Sequence, residues 1–158
     1  MKKLLFVFLF FLGACGFSPL YNEVMVAEEN VSVKVDPIPD EYGFLMRKII
    51  QGKMGISENP RYTLTVSAPR FSSWDQTIDS KNFATMMEVR GVVSYKLVEN
   101  STKKVLVNSS TSLSGSYSVV KDPYATTVAE RKVKKELAEQ LADQVSIHVL
   151  GALSGVRK

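Results

Sequence analysis

The sequence predicts an α+β fold, a two-layer sandwich. A mostly antiparallel four-stranded sheet packs against two helices in the order β-α-β-β-β-α. Three observations predict it. Residues 41–54 and 123–150 carry apolar side chains at helical spacing. Residues 85–98 and 103–119 alternate apolar and polar over long runs, with turn chemistry between them. Each of these segments is greasy on one face only, so helices and sheet need one another to leave water.

The elements follow in order. Asn30 to Asp36 alternates and reads as a half-buried strand, ended by Pro37 and Pro39. Asp40 is placed to cap a helix that begins at Glu41. Tyr42, Leu45, Met46, Ile49 and Ile50 then form one apolar stripe, and Gly55 is placed to stop it, which gives helix 41–54. Arg61 to Phe71 alternates again, with Tyr62, Leu64, Val66 and Ala68 on one face and Thr63, Thr65 and Ser67 on the other. Phe71 to Lys81 is polar and reads as a loop.

The run from Thr85 to Val98 is a long strand with Met87, Val89, Gly91, Val93, Tyr95 and Leu97 on its odd face. Glu99-Asn100-Ser101-Thr102 makes a turn. Lys103 to Val119 returns as a second long strand whose even face, from Asn108 to Ser118, is almost entirely Ser and Asn. Asp122-Pro123 starts the last helix, with Asp as cap and Pro at the first helical position. Its stripe includes Ala129, Val133, Leu137, Leu141, Val145 and Val149, and Gly151 is placed to end it near Leu150.

Length and composition fit one globular domain. The chain has 158 residues, 45% hydrophobic and 23% charged, with nine Gly, six Pro and one Cys. That excludes a collagenous chain and a disulfide scaffold. A net charge of +4 is too small for a dedicated nucleic-acid binder.

The N-terminus carries an export signal. Met1-Lys2-Lys3 is a positive start, and Leu4 to Leu12 is an unbroken apolar run. Such a helix would reach roughly 14 Å, too short for a hydrocarbon core of about 30 Å. Leu12-Gly13-Ala14-Cys15 resembles the bacterial lipobox, in which a diacylglycerol is attached to the Cys and cleavage falls just before it. The other reading is an ordinary signal peptide with an incidental Cys. The expected organisation is a lipoprotein signal peptide at 1–14, an acylated tether at 15–30, one α+β domain at 31–153 and a tail at 154–158. Two or more acyl chains on Cys15 would hold the protein firmly to a membrane. Gly16 in place of Asp points to the outer membrane under the sorting rule many such bacteria follow.

Catalytic chemistry is sparse, and no enzyme, metal or cofactor is expected. His148 is the only histidine and reads as a partly buried helix residue. With no second His and no free Cys it cannot build a typical zinc site. No Gly-x-Ser-x-Gly elbow and no Walker loop occurs. Asp75 and Asp79 read as solvated loop charges. What remains is surface. Arg90 and Lys96 lie on the hydrophilic side of the hairpin, and Lys134 and Lys135 belong to a basic cluster early in the last helix. Guanidinium and ammonium groups suit a phosphate-bearing ligand. A solvated helix face, with Glu130, Glu136 and Glu139 offering i,i+4 partners, explains the same helix residues.

Cys15-Gly16-Phe17-Ser18-Pro19-Leu20-Tyr21 resembles the mature start of the lipopolysaccharide-assembly lipoprotein LptE family. Ser116-Tyr117-Ser118 closing a strand, then Tyr124-Ala125 and a long Ala-, Glu- and Leu-rich helix, is similar to that family's C-terminal half. The resemblance implies a non-enzymatic outer-membrane lipoprotein, lipid-anchored on the periplasmic side. It would sit as a plug in the lumen of the large β-barrel LptD, support the barrel's assembly and bind lipopolysaccharide. A polar hairpin face suits a water-lined barrel lumen. Arg90, Lys96, Lys134 and Lys135 are the ligand-binding candidates on their chemistry alone. The alternative is a periplasm-facing lipoprotein auxiliary to a lipid-transport ABC system, or a pilotin-like chaperone of another barrel.

Overall fold

A computed structural model describes residues 32–55, 59–78 and 84–156. The expected signal peptide and tether, with Cys15, lie outside the described residues. The elements are β1 (Val33–Val35), α1 (Glu41–Met54), β2 (Tyr62–Val66), β3 (Arg70–Ile78), β4 (Ala84–Glu99), β5 (Val105–Ser118) and α2 (Pro123–Val156). The class is the expected α+β, with both helices against a mixed sheet. The sheet has five strands rather than four, because the segment expected to be a loop after Phe71 is β3.

The additional strand is β3, which follows on from β2. β2 and β3 follow one another along the same edge of β4, both antiparallel to it. Val66 pairs with Tyr95 and Arg70 with Val92, so the β2–β3 side holds one extra residue. This is a β-bulge around Ser67-Ala68-Pro69, where proline has no N–H for the ladder. Ser67 bridges the gap. Its N–H donates to the Ser94 carbonyl at 2.8 Å, and its hydroxyl accepts from the Ser94 N–H at 3.0 Å. The extra residue inverts the side-chain parity. Tyr62, Leu64 and Val66 are buried before the bulge, whereas Phe71 packs inward after it. The expected single strand 61–71 therefore stops at its second third. The polar residues beyond Phe71 form a strand because β4 offers them a backbone ladder.

α1 starts as the capping chemistry dictates. The Asp40 carboxylate accepts from the Gly43 N–H at 2.7 Å. Met46, Ile50 and Met54 are its buried face, and Gly55 at φ 69° ends it. Gly43 is needed for close approach, since a Cβ there would lie 2.7 Å from Ile38 Cγ2. The Glu99–Lys104 turn is held by the Thr102 hydroxyl, which donates to Glu99 at 2.7 Å.

α2 lies across the odd face of β4 and β5. Leu137, Leu141, Val145 and Val149 are buried against Val89, Val93, Tyr95 and Leu97. Two glycines admit it. A Cβ on Gly91 would lie 3.0 Å from Leu141 Cδ1 and 3.0 Å from Phe71 Cε1, and one on Gly115 would lie 3.0 Å from Val133 Cγ1. α1 packs beside the second half of α2, joined by a Lys53–Asp143 ion pair at 2.9 Å. The helix does not end at Gly151. It continues to Val156, into the residues expected as tail, because Leu153 buries one turn further on.

Two substitutions test this layer. Gly91→Val is expected to cost about 1–3 kcal/mol by overpacking, and Leu141→Ala about 2–5 kcal/mol by leaving a cavity. Equilibrium urea unfolding followed by circular dichroism measures both. A Gly91→Val protein of unchanged stability would show that α2 does not sit closely on β4.

Candidate functional site

Among the described residues the helices cover one face of the sheet and leave the other open. Parity decides which side chains it presents. On β4 the even residues Glu88, Arg90, Ser94 and Lys96 point away from α2, opposite Ser116, Ser114, Ser110 and Asn108 of β5. β2 contributes Thr63 and Thr65, and β3 contributes Arg70, Ser72 and Trp74. The result is a hydroxyl- and amide-rich surface with a few charges, interrupted by Met86, Val92 and Val98 of β4.

Arg90 and Lys96 sit where the alternation places them. Arg90 is exposed between Ser72 and Ser114, and its Nη2 donates to Ser112 Oγ at 3.0 Å. Lys96 is exposed between Thr65 and Asn108. Six residues of strand separate them, about 20 Å at the usual rise. Thr65 is tied down by its hydroxyl, which donates to Asp36 Oδ2 at 2.9 Å. Among the described residues no carboxylate lies within 4.0 Å of the Arg90 guanidinium or the Lys96 ammonium.

Lys134 and Lys135 belong to the other layer. Lys134 is half-buried and pairs with Glu130 at 2.6 Å, one turn back on α2. Lys135 is exposed and makes no ion pair among the described residues. Lys132 pairs with Glu136 at 3.8 Å. The four candidate cations therefore form two pairs on opposite layers, not one cluster. A single small phosphate group cannot touch all four.

Trp74 falls within 71–81, the segment expected as a loop. It lies on β3 across from Glu88, 41% exposed, on the same open face as Arg90. The signal was present as Arg70-x-Ser72-x-Trp74, a short alternation with no apolar partner face to mark it. Asp75 lies on β3, paired with Met87, and Asp79 lies outside the described residues.

His148 is exposed rather than partly buried. Its Nδ1 lies 2.7 Å from the Tyr95 hydroxyl, and that phenol, not a carboxylate, is its partner. Among the described residues no three of His, Cys, Asp and Glu group together as a metal site. Two acid–base groups are shifted. Hydrogen bonds from Thr102 and then Arg61 hold Glu99 below the ordinary carboxylate range. Burial, aided by the negative charge of Glu130, pushes the Tyr117 phenol up.

Comparison with protein families and with curated proteins gives no match. Solved structures do match. The rare lipoprotein B from Shewanella oneidensis superposes with a TM-score of 0.66 at 12% identity, over 80% of this chain and 98% of that one. A minor lipoprotein from Acinetobacter baumannii gives 0.56 at 14% identity, over 77% and 92%. The lipoprotein B from Nitrosomonas europaea gives 0.56 at 13% identity, over 78% and 86%. The chain thus has the fold of these lipoproteins.

The Glu99 shift sets a pH dependence. Its folded pKa lies below the unfolded one, so its contribution is full above the unfolded value. That contribution is lost as pH falls through the folded pKa. Thr102→Ala is expected to move the Glu99 carboxyl upward in an NMR titration and to flatten the acid limb of the stability curve slightly. An unmoved titration would show that the hydroxyl does not hold the carboxylate.

Proposed function

We propose that this protein is an outer-membrane lipoprotein of the lipopolysaccharide transport and assembly machinery, anchored through acylated Cys15. In this reading it is the plug and assembly partner of the LptD β-barrel and binds lipopolysaccharide. The observation that carries the reading is the open sheet face, predominantly hydroxyl- and amide-bearing with Trp74, Val92 and Val98 among its residues, on a fold shared with rare lipoprotein B. A water-lined lumen accepts a hydroxyl- and amide-rich surface without desolvating buried charge. The lipobox-like Leu12-Gly13-Ala14-Cys15 supports the anchor.

The ligand follows from the cations. Lipid A phosphates would take Arg90 as a bidentate donor and Lys96 or Lys135 as point charges. Lys134 already spends its charge on Glu130, so it is the weakest of the four. Because the pairs lie on different layers, each is tested alone. If the open face binds, Arg90→Ala/Lys96→Ala is expected to weaken lipopolysaccharide binding by about tenfold or more. Lys134→Ala/Lys135→Ala then changes it little. The reverse order moves the site to α2, and no change in either removes all four candidates.

The partner and the anchor have their own tests. Expressed with its native signal in a Gram-negative host and crosslinked, the protein is expected to leave outer membranes with one large β-barrel in equal amount. Recovery alone, or with an inner-membrane permease, overturns the plug reading in favour of a lipid-transport auxiliary. Cys15→Ala is expected to abolish palmitate incorporation and release the protein to the soluble periplasmic fraction. Retained labelling would place the lipid elsewhere.

A further inference from the structure

We propose that the free edge of β5 is a docking site for an extended polypeptide segment of another protein, taken up as an added antiparallel strand with acidic residues at its two ends. The inference does not depend on the barrel reading.

The ladder shows which backbone groups are available. Val119 N–H donates to the Thr85 carbonyl at 3.0 Å, in the same register that pairs Tyr117 with Met87 and Leu113 with Gly91. Odd residues of β5 therefore turn their N–H and C=O toward β4. The alternation of an antiparallel ladder then turns those of Asn108, Ser110, Ser112, Ser114, Ser116 and Ser118 outward. Among the described residues no other strand pairs with β5, and no backbone hydrogen bond reaches that edge. Buried edges need partners, and exposed edges recruit them.

The other edges of this sheet are guarded in the usual ways. β1 is three residues long, carries Lys34 and is followed by Pro37, and Arg47 Nε donates to its Val35 carbonyl at 3.4 Å. β3 carries Arg70 and Asp75 and is broken by two register shifts. β5 has none of this. From Val105 to Val120 there is no charge and no proline, and the one register shift lies at its very start. Fourteen residues of uncharged edge are an unusual thing to leave open.

Charge selects the occupant. Lys103 and Lys104 stand exposed just before β5, and Lys121 stands exposed just after it. A second copy pairing antiparallel through β5 would bring Lys103 and Lys104 of each copy against Lys121 of the other, at both ends of the interface. A foreign strand with Glu or Asp at its ends would instead be complementary there.

The experiment uses the full exported chain and a synthetic peptide of alternating Thr and Val with two Glu at each end. Amide hydrogen exchange is expected to show the odd amides of β5 already slow. Those of Ser110, Ser112, Ser114 and Ser116 should be fast in the free protein and slowed by the peptide. A peptide with Lys for Glu is expected to bind about tenfold more weakly, as three surface ion pairs acting together would require. Ser110→Pro/Ser114→Pro removes two outward N–H groups without touching the β4 ladder. It should weaken binding more than tenfold, while Ser110→Ala/Ser114→Ala, which keeps them, binds as the parent. Four outcomes overturn the proposal: even amides already slow in the dilute free protein; protection that rises with protein concentration alone, which makes a second copy the occupant; no change with peptide; or equal loss from the Ala and Pro pairs.

Discussion

β4 is hydrogen-bonded along both edges, and its alternation governs the rest of the molecule. Odd residues send side chains under α2 and backbone groups to β5. Even residues send side chains to the open face and backbone groups to β2 and β3. Val89, Val93, Tyr95 and Leu97 are therefore core for the same reason that Arg90, Ser94 and Lys96 are surface. A one-residue slip would exchange the two sets. Gly91 is the point where this strand must be bare, because Leu141 from above and Phe71 from the side meet over it.

What was legible in the sequence is what one covered face writes into it. α1 could be bounded from the Asp40 cap to Gly55, because capping and apolar period agree there. The β4–β5 hairpin was legible because α2 buries every second residue of β4. β3 was not, because its residues from Ser72 to Thr77 are exposed whichever way they point. A strand held only by backbone hydrogen bonds leaves no periodic signature. The bulge at Ser67-Ala68-Pro69 compounded this by inverting parity just where the pattern would have been followed. Gly151 misled in the opposite direction. Glycine costs only about 1 kcal/mol inside a helix, and the burial of Leu153 beyond it outweighs that.

The candidate site shows the same division. Arg90 and Lys96 were placeable because strand parity is binary, and an even residue on a strand with an odd apolar face must look away from the core. Lys134 and Lys135 are adjacent in sequence but differ in circumstance. The helix turns about 100° between them, which leaves Lys134 half-buried beside Glu130 and Lys135 in water. Sequence distance along a helix does not report that difference. Nor does it report that the two basic pairs belong to opposite layers, since only the packing of α2 onto the odd face of the sheet decides it.

The polar face and the free edge are one feature seen from two sides. The same residues, Asn108 to Ser118 in steps of two, supply the hydroxyls and amide of the open face and the outward backbone groups of the edge. A lysine at one of these positions would serve as an ordinary guard, blunting the edge and adding charge to the face at once. Placing cations only beyond both ends of β5 keeps its strip of the face uncharged and the edge receptive together. Serine is suited to this because it is too short to fold over the edge and satisfies its own hydroxyl in water. Exposed Ser and Asn on a lone edge strand would be a liability if the strand served only to close the sheet. The uninterrupted run is consistent with a surface kept smooth for contact along its length.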